Sequence, residues 1–195
     1  MPLTTYTSGE VLTAASLNAN LSFASTNGGL VCVKAETAFS AVSSLNAANV
    51  FSSSYTNYLI KLRYTTSGFN DIFIQMSNAG TPATGANYNF QSMGAYGNTT
   101  ATIEGADSQT SGRITSGTNG TFYSSANIEL FSPFVAEATT MLASGMISEG
   151  SYTGAVVKVA YTNHTLATSY DGFTLLVATG TMTGAYTVYG YSKAV

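Results

Sequence analysis

The residue types that most often carry acid–base or nucleophilic chemistry are scarce in this chain. His164 is its one histidine and Cys32 is its one cysteine. The sequence contains no Gly-x-Ser-x-Gly motif, which presents the nucleophilic serine of many hydrolases on a sharp turn. A Ser-His-acid triad would therefore have a single candidate base and no recognisable nucleophile. We expect His164 to be a loop residue with no catalytic role.

The carboxylates also form no recognisable site. They are scattered along the chain at positions that include Asp71, Glu104, Asp107, Glu129, Glu137, Glu149 and Asp171. None forms a calcium-binding loop of the Asp-x-Asp-x-Asp-Gly type, and no pair can be chosen as the two carboxylates of a glycosidase. A phosphate-binding loop of the Gly-x4-Gly-Lys-Ser/Thr type does not occur either. The sequence predicts no enzyme, no cofactor and no metal site.

Three smaller features have structural interpretations. Cys32 lies between Val31 and Val33 in a predicted strand, so we expect a buried, inert thiol. At Asp171-Gly172 the aspartate can close a local turn and the glycine allows a positive φ. The aromatic rings of Tyr186, Tyr189 and Tyr191 could stack on sugars, but a row of tyrosines on a strand more often belongs to a core or a subunit interface.

The composition limits the possible partners. Only 8% of the residues are charged and the formal net charge is −3, whereas about 25% is usual. Lys61 and Arg63 are the only close basic pair, so nucleic-acid binding is not expected. A surface with few charges indicates that other subunits cover much of it, although a secreted β protein can share this composition. We expect no signal peptide at Met1–Tyr6 and no membrane insertion, because no apolar run approaches about 18 residues.

The hydropathy pattern predicts strands from residue 30 onward. In Tyr58–Tyr64, apolar side chains alternate with Lys61 and Arg63, as in a half-buried strand. Similar short segments recur between turn residues, whereas the Ser/Thr/Gly-rich stretch 104–120 is expected to be an exposed loop. The sequence therefore predicts an all-β protein: a jelly-roll-like antiparallel β-sandwich of about 8–10 strands, preceded by a short N-terminal helical appendage. The two predicted units are residues 1–28 and residues 29–195.

The appendage is expected to hold a helix capped by Thr13. Leu17 and Leu21 lie one turn apart, and Val11 or Leu12 can pack on this face from outside the helix. Because so short a helix is not stable alone in water, these four residues predict an attachment site. The helix could dock on its own domain, on a neighbouring subunit or on another protein.

Three segments resemble a family of bacteriophage virion proteins from tails and fibres. Gly9-Glu-Val-Leu-Thr-Ala-Ala15 is similar to the opening of many phage tail proteins, and Asn49-Val-Phe-Ser-Ser-Ser-Tyr55 to the start of their β-module. The closing stretch is similar to the family ending, from Tyr170-Asp-Gly-Phe-Thr-Leu175 to Val188-Tyr-Gly-Tyr191. We interpret this stretch as two strands joined by a Gly/Thr turn, which fix the C-terminus in a sheet.

The resemblance implies a non-enzymatic structural protein located in the virion. A tail fibre or receptor-binding component is the first expectation, and a capsid decoration or head-fibre protein is the alternative. A carbohydrate-binding module or depolymerase is an alternative of another class. The partners expected are further copies of the chain in a homotrimer, other virion proteins contacted through the appendage, and a host surface glycan or protein.

Overall fold

The computed structural model describes residues 9, 13–27, 29–68, 70–96, 100–116, 123–148 and 155–193. In chain order the elements are α1 (Ala14–Asn27), β1 (Leu30–Val42), β2 (Ser44–Ala47), β3 (Asn57–Thr66), β4 (Asp71–Asn78), β5 (Thr81–Pro82), β6 (Tyr88–Tyr96), β7 (Thr100–Gln109), β8 (Gly112–Ser116), β9 (Ser124–Phe131), β10 (Thr139–Ser148), β11 (Ala155–His164), β12 (Gly172–Val177) and β13 (Met182–Tyr191). The predicted all-β class is confirmed.

The strands form two antiparallel sheets of unequal size. The larger has the order β1-β13-β3-β9-β10-β11-β6-β7, and the smaller has the order β2-β12-β4-β5, with β8 also paired to β4. Neighbouring strands in the larger sheet are long and matched, for example ten residue pairs in register between β10 and β11. The described residues contain thirteen strands rather than the expected 8–10, because short strands such as β5 have too few residues to show an alternation.

The core lies between the two sheets. Its buried apolar side chains include Tyr58, Ile60, Leu62, Ile128, Leu130, Tyr186 and Val188 from the larger sheet, and Ile72, Ile74, Met76, Phe173 and Leu175 from the smaller one. The alternation predicted for Tyr58–Tyr64 is confirmed, since Lys61 and Arg63 are exposed. In β3 and β9, every second side chain points into this shared apolar layer.

Two buried tyrosines hold loops against this core. The Tyr58 hydroxyl donates to the Ser52 carbonyl at 2.9 Å and accepts from the Ser52 N–H at 2.7 Å. The Tyr88 hydroxyl likewise donates to the Ala83 carbonyl at 3.0 Å and accepts from the Met76 N–H at 2.9 Å. Because both rings are buried, these bonds satisfy polar groups that water does not reach.

The outermost strands of the larger sheet are irregular. The pairing of β1 with β13 shifts register three times along its length, and that of β6 with β7 shifts once. Both outer strands also carry charges, Lys34 and Glu36 on β1 and Glu104 and Asp107 on β7. Bulges and charges on an outer strand discourage pairing with further strands, so the sheet ends where it does.

The closing stretch does not form a hairpin. β12 pairs with β2 and β4 in the smaller sheet, whereas β13 pairs with β1 and β3 in the larger one. Residues 178–181 therefore carry the chain across the sandwich from one sheet to the other. The interpretation of two strands joined by a Gly/Thr turn is confirmed, but alternation within each strand does not reveal which strand is its neighbour.

The stretch 104–120 is not a single exposed loop either. Its first part continues β7 to Gln109, and β8 follows from Gly112 to Ser116. Ile114 and Thr115 of β8 are buried at 2% and 1% exposure. The polar composition misled the prediction because β8 pairs with β4 in the smaller sheet and is covered by β11 of the larger one, so it needs few apolar residues of its own.

Gly172 is required by close packing rather than by its φ angle. A Cβ atom at this position would lie 2.2 Å from the Ala47 carbonyl oxygen on the neighbouring strand. Gly172→Ala should therefore lower the free energy of unfolding by at least about 2 kcal/mol, because two backbones must separate to admit the methyl group. Urea denaturation would measure this loss.

Gly68→Ala is the matched control for that variant. A Cβ at Gly68 would have its nearest contact, the Asn70 side-chain nitrogen, at 3.5 Å. We expect this change to stay within about 0.5 kcal/mol of the wild type. Equal losses for both variants would contradict the packing account.

Candidate interaction surface

Strand β11 has three large apolar side chains exposed on its outer face, whereas its inner face combines the buried Val156 and Ala160 with polar residues. Val157, Val159 and Tyr161 are 54%, 36% and 48% exposed on the outer face of the larger sheet. Lys158 and His164 on the inner face are 1% and 0% exposed. The shared face that alternation predicts for the three apolar residues is thus observed. It points away from the core, an arrangement that a monomer seldom has.

The apolar residues of β11 continue across the neighbouring strands. Tyr161 lies opposite Leu142 and Val157 opposite Met146 on β10. On the other side Val159 lies opposite Met93 of β6, which in turn lies opposite Ile103 of β7. We call the set the apolar face: Met93, Ile103, Leu142, Met146, Val157, Val159 and Tyr161.

The members of the apolar face are exposed, and Glu129 of β9 lies opposite Leu142 at one edge of the set. Ile103 reaches 78% exposure and Met93 reaches 60%. A shallow depression of about 340 Å³ lies among the β6, β7 and β11 side chains. Adjacent exposed positions in the same rows include Gln91, Ala95 and Ser144. Contiguous exposed apolar area of this kind marks an interaction surface.

Behind the apolar face, the inward-pointing Lys158 belongs to an ion-pair network. Its Nζ lies 3.1 Å from Glu104 Oε2, and the same oxygen lies 2.6 Å from Arg113 Nη1. Arg113 Nη2 in turn lies 2.5 Å from Asp71 Oδ1. Two cations and two anions balance within this network. It joins β11 and β7 of the larger sheet to β8 and β4 of the smaller one.

The charge of Glu104 is favoured by this arrangement. Partial burial alone would raise the pKa of its carboxyl group, but the hydrogen bond from Lys158 and the charge of Arg113 outweigh that effect. The net result is a pKa below the ordinary value of a glutamate. The carboxylate therefore stays ionised and keeps the buried ammonium of Lys158 paired.

Removing the Glu104 carboxylate should lower the free energy of unfolding more than replacing the buried Lys158 with an apolar side chain. Glu104→Gln leaves Lys158 buried without its carboxylate and should lower the free energy of unfolding by roughly 1–3 kcal/mol, less than for a fully buried pair because Glu104 is partly exposed. Lys158→Met keeps a similar volume and leaves Arg113 paired with both acids, so it should cost less. Urea denaturation at neutral pH would compare the two. A larger loss for Lys158→Met would contradict this account.

His164 is buried at the end of β11, so the expectation of a loop histidine was wrong. Its ring stacks on Tyr88 with centroids 4.2 Å apart, and its Nε2 is hydrogen-bonded to the Tyr170 hydroxyl at 2.7 Å. The ring is 0% exposed. The imidazole ring is therefore a buried structural group packed between two tyrosines.

Burial lowers the pKa of His164 below its ordinary value of 6.5. The unfolded chain then binds a proton more readily than the folded chain, so the free energy of unfolding falls as the pH drops below about 6.5. The slope should not exceed about 1.4 kcal/mol per pH unit. Urea denaturation between pH 7.5 and pH 5 would measure it.

His164→Gln isolates that effect because the chain has no other histidine. Whatever the variant does to overall stability, its unfolding free energy should change little between pH 7.5 and pH 5. The pKa of the Glu104 carboxyl group lies below its ordinary value, so this group adds little to the slope in that range. An unchanged pH slope in the variant would assign the dependence to another group.

The predicted attachment residues fall in two groups. Val11 and Leu12 lie outside the described residues, so their placement stays a prediction. Leu17 and Leu21 lie on α1 and are 46% and 60% exposed. The predicted cap is confirmed, because the Ser16 N–H donates to Thr13 Oγ1 at 3.2 Å. The structure therefore shows the helix, with both leucines largely uncovered.

Cys32 and Asp171 differ from the sequence expectations. Cys32 is exposed, because it faces outward on the outermost strand β1 while Val31 and Val33 are half-buried. Asp171 does not close a local turn. Its carboxylate accepts the Ala79 N–H at 3.0 Å and stabilises the turn between β4 and β5.

The tyrosines of β13 divide between the two faces of the sheet. Tyr186 is 3% exposed and packs edge-on against Phe173 with centroids 5.8 Å apart, so it belongs to the core. Tyr189 and Tyr191 are half-buried on the outer face, and the Tyr191 hydroxyl is hydrogen-bonded to Glu129 at 3.1 Å. The core interpretation is thus confirmed for Tyr186.

Two of the segments that resemble phage proteins meet in the structure. The Asp171 carbonyl accepts the N–H groups of Val50 and Phe51 at 2.8 and 2.9 Å. The Tyr55 ring covers Gly190 so closely that a Cβ there would lie 2.4 Å from it. The residues 49–58 and 170–191 therefore form one packed unit.

The described part of the chain holds no cluster of three or more metal-ligating side chains. Among the same residues, no helix is long and apolar enough to cross a membrane. No protein-family model and no curated protein matches the chain. The apolar face is thus the feature of the described residues that most needs a functional account.

Proposed function

We propose that this chain is a non-enzymatic structural protein of a bacteriophage virion that works as a homotrimer. Within the virion we assign it to a tail fibre or receptor-binding component. The observation that carries the assembly role is the apolar face, which a protein working as a single copy would expose to water at a cost of about 25 cal/mol per Å².

The virion assignment is supported by the three resembling segments. They occur in the expected order along the chain, at residues 9–18, 49–58 and 170–191. The second and third pack together, as the bonds from Val50 and Phe51 to Asp171 illustrate. A shared fold motif explains why both segments would be kept together in such proteins.

The low charge of the chain supports the same proposal. With 8% charged residues it has little of the charge repulsion that keeps ordinary proteins apart. Four of those charges are the ion-pair network around Lys158, which contributes no net charge to the surface. A fibre or tail component, surrounded by other subunits, tolerates such a composition.

Particle fractionation tests the virion assignment. Purified virions would be separated into heads and tails and probed with an antibody against the folded domain, and we expect the chain in the tail fraction. Host proteins of similar abundance, made in the same lysate, serve as the contamination control. Recovery with heads would favour a capsid decoration or head-fibre protein, and absence from washed particles would contradict the proposal.

A further inference from the structure

We propose that helix α1 of a second copy of this chain lies on the apolar face and buries Leu17 and Leu21 there. This inference rests on the proposed assembly role and names the partner of the apolar face. It explains two features together: the leucines of α1 and the apolar face are both exposed in the single chain. The leucines are 46% and 60% exposed, and Ile103 on the apolar face is 78% exposed.

The helix of the same chain does not reach the apolar face. Gly29, just after α1, is bound to Ser192 through two hydrogen bonds of 2.7 and 3.1 Å at the start of β1. β10, the strand of the apolar face nearest to β1, lies four strands away in the sheet order, which is about 19 Å at the usual strand spacing. Leu17 lies ten residues before the helix end at Asn27, or about 15 Å. The cover therefore comes from another molecule, and a second copy brings the exposed leucines of its own α1.

The two surfaces match in chemistry. Helix α1 has the sequence AASLNANLSFASTN and carries no charged residue. The apolar face and its neighbours Gln91, Ala95 and Ser144 are also uncharged, while the charged Glu129 at its edge, opposite Leu142, is hydrogen-bonded to the Tyr191 hydroxyl. Contact between them would bury no unpaired charge, and small alanines in the helix allow a close approach to the sheet.

The proposed contact occurs twice on each copy. A stable interface buries on the order of 800 Å² per partner, and the apolar face contributes seven exposed side chains to it. Each copy in a ring also gives one helix and receives another. Contacts of this head-to-tail type form a ring when the rotation between copies closes, and a trimer is the ring that the proposed function requires.

Charged substitutions on α1 and on the apolar face test whether the helix binds there. Leu17→Glu with Leu21→Glu should dissociate the oligomer at least tenfold more readily than wild type, and Ile103→Lys with Val157→Lys should do the same. All four side chains are largely exposed in the single chain, so the fold should persist. Combining the four changes places acids against lysines and should restore association. Light scattering would give the mass relative to the 20.2 kDa chain.

Two single changes serve as matched controls. Asn18→Glu adds an acid to an exposed position of α1 beside Leu17, and Asn127→Lys adds a lysine to an exposed position of β9 outside the apolar face. Both should leave the oligomer intact. A monomeric wild type, or a folded four-residue variant that stays dissociated, would overturn the proposal.

Cross-linking provides a second measurement that does not depend on the charge variants. Chains with Leu17→Cys and chains with Val157→Cys, both in a Cys32→Ser background and with tags of different size, would be mixed and treated with a short bis-maleimide. We expect a cross-linked product that contains one chain of each kind. Its absence from an oligomeric mixture would overturn the helix contact. Virion fractionation would still decide the proposed function separately.

Discussion

The orientation of β11 is the constraint on which much of this structure depends. The strand is paired over its length with β10 and with β6, so its register is held from both sides. A shift of one residue would turn Val157, Val159 and Tyr161 inward and Lys158 and His164 outward. The same shift would also expose Val156 and Ala160, which are buried in the observed register. The orientation of β11 is therefore held by the whole sheet.

Two polar arrangements make this orientation tolerable inside the sandwich. Lys158 meets Glu104, whose second partner Arg113 also binds Asp71. His164 is held between the rings of Tyr88 and Tyr170. Because a buried charge or polar ring without partners is costly, these contacts are the condition for placing such residues in a core. The same strand then carries its apolar residues on the outside, where a partner can cover them.

The connection between β12 and β13 links the two sheets of the sandwich. β12 supplies Phe173 and Leu175 to the smaller sheet, and β13 supplies Tyr186 and Val188 to the larger one. Phe173 and Tyr186 meet edge-on in the core. The chain thus packs its last two strands against each other face to face, so the C-terminal stretch fixes the distance between the sheets as well as their pairing.

The sequence by itself determined the class of fold, the individual strands with clear alternation and the capped helix at Thr13. These depend on neighbouring residues and on a period of two or 3.6, which local order reveals. Tertiary structure alone decided that β12 and β13 belong to different sheets, that β8 is a strand, and that Cys32 and the apolar residues of β11 face outward. Alternation tells which residues share a face, but only the packing of distant strands decides which face meets the core.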